Sequence, residues 1–223
     1  MCAMAERKAA GSVRRAGRPG AGAPPVPTER EILRRGVEAF AELGYDGASV
    51  RELARRLGVS HNFITDRYGS KANFWRAVVD SVLDSDQRER EQLLAADIDD
   101  AELVRAVIAH FYRAAVETPL LGRLLADEFA RESERLDYLY EKYVAPTLNP
   151  MIPAIERLMA AGRMRTVPMD VLFFAVISPV AGLVQLPLAH RLGRAEPVTR
   201  ESQERTAGEL ADLIVEGLLG PHR

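Results

Sequence analysis

The stretch Ser49–Lys71, SVRELARRLGVSHNFITDRYGSK, decides how the chain is read. Ser49 with Glu52 three residues later is a capping-box pattern, so a helix is expected to open at Val50. Val50, Leu53, Ala54 and Leu57 then recur at the spacing of one apolar stripe over two helical turns. Arg51, Arg55 and Arg56 fall off that stripe, towards solvent or a polyanion. Gly58 suits the left-handed residue that closes a helix, Val59 plugs the corner, and Ser60 is positioned to cap the next helix. Ile64 and Tyr68, four apart, give that second helix a buried face. Its other face carries His61, Asn62, Phe63, Thr65, Asp66 and Arg67.

Two short helices joined by a tight, glycine-containing turn form a helix-turn-helix, or an ordinary corner of a helical protein. In the former case the second helix enters the major groove and reads base edges. Charge helps to choose. The chain carries a formal −2, but residues 1–71 hold 13 Lys/Arg against 8 Asp/Glu and residues 72–223 hold 17 against 24. A basic front part suits a phosphate backbone, and an acidic rear part keeps itself away from one. The first 27 residues are Ala, Gly, Pro and basic residues without periodicity, and read as a disordered basic arm. Within it Arg15-Ala16-Gly17-Arg18-Pro19 resembles the Arg-Gly-Arg-Pro core that lies in A·T-rich minor grooves, with an Ala inserted. Such an arm either supplements a major-groove helix or is only a solubilising tail.

The composition, 47% hydrophobic and 28% charged, is that of an ordinary globular protein, and its glycines and prolines cluster at helix edges, so an all-α fold is expected. A single cysteine, Cys2, allows no disulfide framework or Cys-based zinc site, which fits a reducing cytosol. The first residues contain no apolar run of signal-peptide length. Upstream of the opening stretch, Thr28 with Glu31 starts a first helix whose apolar residues are Ile32, Leu33, Val37, Phe40 and Ala41; Gly44 closes it. Downstream, Ser70 caps a fourth helix expected to run from Lys71 towards Leu94.

With those residues in place, positions 28–75 resemble the DNA-binding domain of the TetR family of bacterial transcriptional regulators. The likeness is carried by Ala39-Phe40, Gly44-Tyr45, Ser49-Val50-Arg51-Glu52-Leu53-Ala54, Leu57-Gly58-Val59-Ser60, and Tyr68 before Ser70-Lys71. The resemblance implies roles for single positions. Lys71 corresponds to a lysine that grips a phosphate. Ser49 and Arg51 sit where the second helix meets backbone or base. His61, Asn62, Phe63, Thr65, Asp66 and Arg67 occupy the recognition helix. Thr65 stands where the family usually has Tyr, and Tyr68 where it has Phe, so affinity should lean more on Arg67 and the arm. Asp66 is repelled by phosphate but suited to accept from cytosine N4; Phe63 faces a thymine methyl or packs inward.

The remainder, 76–223, is expected to be a larger helical ligand-binding and dimerisation domain. Helices are expected over Asp100–Val116 and from Leu120 to about Tyr143, with a break near Arg131–Ser133. Pro146, Pro150 and Pro153 should disrupt regular helix, which resumes and ends at Gly162. Val171–Ala189 contains 19 residues without a charge, long enough to span a membrane, but Ser178, Pro179, Gln185 and Pro187 interrupt it. A subunit interface backed by a core explains it better. In the family the last two long helices pair across a two-fold axis, which places a homodimer interface at about 170–190 and 200–219, the latter with Leu210, Leu213, Ile214, Gly217 and Leu218 as a seam. The family also keeps a small-effector pocket in this domain, for which His110, Phe111, Phe129, Tyr140, Tyr143, Phe174 and Gln185 are candidates. The same aromatics are what an ordinary helical core requires.

Catalytic chemistry finds no support: the histidines lack metal-ligand spacing, no Gly-rich phosphate loop follows a strand, and Asp99-Asp100 look like helix-start residues. No cofactor or metal is expected. The sequence therefore predicts a cytoplasmic, homodimeric, all-α regulator that binds double-stranded DNA, a repressor released from a palindromic operator by a small-molecule effector, with no membrane partner. The alternative is an architectural DNA-binding protein with no effector, recognisable by steep salt dependence without sequence preference.

Overall fold

The computed structural model describes residues 27–85 and 87–220, and every regular element among them is helical. Residues 1–26 of the expected basic arm lie outside the described residues. Helix α1 (Glu29–Gly47) opens where Thr28 Oγ1 accepts the Glu31 N–H at 3.3 Å. Its regular course stops at Gly44, whose φ of 67° only glycine adopts without strain. Helix α2 (Val50–Leu57) opens the same way, with Ser49 Oγ accepting the Glu52 N–H at 3.2 Å. In both starts the reciprocal half of the capping box is missing. The Glu31 carboxylate turns to Arg34 and Arg35, and that of Glu52 to Arg55 and Arg56. Gly58, with φ 72°, closes α2 and lets Val59 N–H reach back to the Ala54 carbonyl.

Helix α3 (Phe63–Tyr68) starts two residues later than a Ser60 cap would place it. Residues 60–62 form a turn, closed by Phe63 N–H on the Ser60 carbonyl at 3.0 Å, and Asn62 precedes the helix without a side-chain cap. Helix α4 (Lys71–Leu83) is capped by Ser70 Oγ on the Asn73 N–H. It ends at Asp84 instead of continuing to Leu94; a separate helix α5 (Gln87–Leu94) follows, with no fully buried residue and Leu94 half-buried against the second core. Gly36 lets α1 and α4 come close: a Cβ there would lie 2.5 Å from Val78 Cγ2 and 3.0 Å from Phe74 Cζ.

Helices α6 (Asp100–Glu117), capped by Asp99, and α7 (Pro119–Phe129) are joined by Thr118. After a break at 130–133, helix α8 (Glu134–Leu139) passes through a π-helical turn (Tyr140–Val144), α9 (Ala145–Leu148) and a 3-10 turn (Asn149–Met151) into α10 (Ile152–Ala160). Pro146, Pro150 and Pro153 thus alter the hydrogen-bond pattern without interrupting the rod. Proline's fixed φ fits a helix, and widening or tightening the turn accommodates its missing N–H. The uncharged run 171–189 is cut into α11 (Met169–Ile177), a 3-10 turn at Ser178–Val180, α12 (Ala181–Val184) and α13 (Leu186–Arg191). Among the described residues no helix is long and apolar enough to cross a membrane. Helix α14 (Arg200–Leu219) completes the chain with a full capping box between Thr199 and Ser202.

Two cores result. The first joins Ile32, Phe40, Leu53, Leu57, Ile64, Phe74, Trp75 and Val78 of α1–α4 to Leu124 of α7, Leu139 of α8 and Tyr143 of the π turn. The second is built from α6, α10, α11, α12 and α14, where Ala207, Ala211, Val215 and Leu218 of α14 pack along α6. The expected α14 seam is therefore divided. Leu218 belongs to the core, Leu210 and Ile214 pack against it half-buried, and Leu213 and Gly217 face outward.

Candidate nucleic-acid interface

Ile64, fully buried, anchors α3 to the first core, and the Tyr68 ring lies 4.9 Å from that of Phe74, tilted by 54°. That anchoring turns His61, Asn62, Thr65, Asp66 and Arg67 outward, all exposed. His61 and Thr65, like Asn62 and Asp66, are one helical turn apart, so their side chains share a surface. Phe63 is half-buried against the core and edge-on to Tyr68, which favours packing over a groove contact. Asn73 Nδ2 donates to the Tyr68 carbonyl at 3.0 Å and closes the end of α3.

Arg67 does not stand free. Its guanidinium pairs with the carboxylate of Glu29 on the first turn of α1, and the Tyr68 hydroxyl donates to Glu29 Oε1 at 2.6 Å. Burial first, and then this carboxylate, push the Tyr68 phenol up to about 12. Glu29 has no signal in the sequence that marks it as part of this surface.

At the front of α2, Ser49 is exposed but its Oγ is engaged in capping, and Arg51 is exposed with no carboxylate partner among the described residues. Arg55 and Arg56 are not available in the same way. Arg55 pairs with Glu52 at 2.6 Å, and Arg56 bridges Glu42 at 2.5 Å and Glu52 at 2.9 Å. Hydrogen bonds from Arg55 and then Arg56 hold the Glu52 carboxyl down at about 2.

Lys71 opens α4 half-buried. Its ammonium donates to the Tyr45 carbonyl at 2.9 Å and stands 4.1 Å from the centre of the Tyr45 ring. An ammonium has three donors, so this geometry leaves hydrogen-bonding capacity for an anion, and the positive end of the α4 dipole adds to the attraction.

The seven candidate effector residues are distributed, not gathered around one space. Phe129 and Tyr143 pack in the first core, where the Tyr143 hydroxyl lies 2.7 Å from Asp80 and 2.8 Å from Asp84. Phe111 packs against the second core, and His110, 3% exposed, has Nδ1 at 3.0 Å from Arg113 and 3.3 Å from Glu89. Tyr140, Phe174 and Gln185 lie on the surface. Phe174 shares that exposure with Val171 on α11, Leu188 on α13, Leu192 just after it and Leu213 on α14.

A family model described as bacterial regulatory proteins, tetR family, matches residues 32–78. Over 121 residues, 48% of this chain, the sequence is 30% identical to YezE of Bacillus subtilis (strain 168), described as an uncharacterized HTH-type transcriptional regulator. The match spans 62% of the length of that relative. Among solved structures, the TetR family regulator PfmR of Thermus thermophilus superposes with a TM-score of 0.62 at 22% identity, over 86% of this chain and 98% of that one. The regulator FadR of Bacillus subtilis, solved with stearoyl-CoA, superposes with a TM-score of 0.59 at 14% identity, over 85% and 99%. At these identities the superpositions speak for a shared fold.

Proposed function

We infer, from an N-terminal domain that belongs to the tetR family of bacterial regulatory proteins, that the chain is a sequence-specific, homodimeric DNA-binding regulator, a repressor released by a small molecule. The observation that carries this reading is the exposed row His61, Asn62, Thr65, Asp66 and Arg67, on α3 and the turn that leads into it, fixed to the core by Ile64. Polar groups of this variety on a rigid helix suit base edges. Asn62 fits adenine, Asp66 fits cytosine N4, and Arg67 fits guanine or phosphate. Ser49 and Arg51 at the start of α2 and Lys71 at the start of α4 supply backbone contacts on either side.

Dimerisation is supported by the outward Val171, Phe174, Leu188, Leu192 and Leu213, which a second copy would cover. Two recognition helices related by that axis would read a palindromic site. The effector acts on the second helical unit, through the region of His110 and Phe111 on α6, by favouring the arrangement that spaces the recognition helices wrongly. Stearoyl-CoA, held by the FadR structure, is a reasonable first compound to try.

The test is footprinting on DNA upstream of the chain's own gene at rising salt, with Lys71→Ala alongside. A discrete two-fold footprint, weakened across all sequences by Lys71→Ala, is the expected result. Diffuse protection that vanishes with modest salt would favour the architectural alternative, and no binding at any salt would overturn the helix-turn-helix reading.

A further inference from the structure

Three consecutive residues at the end of α1, from its kink at Gly44 onward, each meet the α7–α8 region. Gly44 lies beside Asp127, whose Oδ2 would be 3.9 Å from a Cβ built there. The Arg135 guanidinium stands 3.8 Å from the centre of the Tyr45 ring. Asp46 pairs with Arg131 at 3.2 Å. Of these contacts the middle one is built inside the protein. Arg135 Nε donates to Glu128 Oε2 at 2.7 Å, and the two side chains are only 17% and 6% exposed. Glu128 is one of two polar residues buried among the described residues, and the DNA-binding roles assigned above make no use of it.

The same Tyr45 holds Lys71. Its carbonyl accepts from both the Lys71 ammonium and the Ala48 N–H, and its ring faces the ammonium at 4.1 Å. One aromatic side chain therefore carries two cations, one tied to a buried carboxylate of the second unit and the other at the start of α4. A planar guanidinium fixed by a carboxylate is a suitable brace for a ring, because its direction is set before the ring arrives. Trp75, fully buried and the only tryptophan, meets Tyr45 edge-on at 6.4 Å and so walls the ring from the core side.

We propose that Arg135, oriented by Glu128, is a positioning residue for Lys71: by bracing Tyr45 it sets where the lysine ammonium stands and links α7–α8 to a DNA phosphate contact. The proposal rests on the regulator reading above and adds the residues through which the second unit reaches the interface. Displacement of α7 or α8 would move Arg135, release the Tyr45 ring and leave the ammonium without its fixed acceptor.

The test is a double-mutant cycle on a duplex carrying the footprinted sequence, read as affinity against salt. Glu128→Gln combined with Arg135→Met removes the guanidinium without leaving a buried charge unpaired. In the parent this pair of changes is expected to weaken binding by about tenfold, as for loss of a desolvated cation–ring contact. The salt slope should fall by about 0.9, the share of one phosphate contact. In the Lys71→Ala background it should add nothing. Arg135→Lys, which keeps a cation for both Glu128 and the ring, should stay within about threefold of the parent. Equal losses in both backgrounds, or no loss in the parent, would overturn the proposal. If the parent itself binds no duplex at low salt, the regulator reading fails and this one falls with it, an outcome that no mutant comparison can imitate.

Discussion

The guanidinium of Arg67, on the exposed face of the recognition helix, is held by the carboxylate of Glu29 at the opposite end of the helix-turn-helix unit. A phosphate or guanine approaching Arg67 must displace that carboxylate, which would itself be repelled by DNA. Glu29→Gln should therefore tighten binding, by about two- to fivefold, the usual worth of an exposed ion pair. Titration of labelled duplex at low salt checks this, and the gain should shrink as salt rises. Weaker binding by the variant would mean that Glu29 orients Arg67 for contact.

Charge in the front part is unevenly held. Residues 1–27 contain Arg7, Lys8, Arg14, Arg15 and Arg18 against Glu6, while residues 28–71 contain eight Lys/Arg against seven Asp/Glu. Arg34, Arg35, Arg55, Arg56 and Arg67 are moreover paired with carboxylates. Deleting 1–27 should thus lower the salt slope of binding by as much as about 4, because each lost cation–phosphate contact removes about 0.9. A slope that does not change would show that the folded domain supplies the charge.

At Gly36 an added methyl group meets Val78 and Phe74 within van der Waals distance. Gly36→Ala should cost about 1–3 kcal/mol of stability, the range for overpacking a core. Gly58→Ala strains the left-handed close of α2 and should cost about 1–2 kcal/mol. Chemical denaturation of both variants measures this. An unchanged midpoint for Gly36→Ala would mean that α1 and α4 separate without penalty.

Four tyrosine phenols are held above their ordinary range. Burial pushes Tyr112 up to about 12, and burial followed by hydrogen bonding to Glu29 does the same for Tyr68. Tyr138 and Tyr143 are raised by burial and then by hydrogen bonding to Asp80. The folded state therefore binds these protons more tightly than the unfolded state. Their contribution to stability is complete below the ordinary phenol value near 10 and is lost as pH rises through the raised folded-state values, about 12 for Tyr68 and Tyr112. Tyrosinate absorbance should show a step above the ordinary phenol range that coincides with loss of helical signal. A single transition near 10 would contradict the burial of these phenols.

Local signals were read well from the sequence, and contacts between distant segments were not. Thr28, Ser49, Gly58 and Ser70 act on their own helix ends, so their positions in the chain announce what they do. Ser60 misled because a turn of 60–62 competes with a cap at the same residues. The fourth helix ends early because α4 packs on the first core up to Leu83, whereas Leu94 of α5 packs on the second. Glu29 on Arg67 and Arg135 on Tyr45 join segments far apart in sequence, and no spacing rule covers them. Residue type alone does not distinguish a core aromatic such as Phe129 from a surface one such as Phe174, so the effector candidates scatter over both.

The helical run from Glu134 to Ala160 crosses three prolines without stopping, and it belongs to both cores. Leu139 and Tyr143 lie in the first, and Met151, Ile155 and Leu158 in the second. It is a shaft seated in two bearings, with irregular turns at Tyr140–Val144 and Asn149–Met151 between the seats. Those turns lack part of the regular α-helical ladder, so twist is absorbed there more readily than in either seat. A load on the second core therefore reaches the first through one continuous backbone, less the twist that those two turns take up.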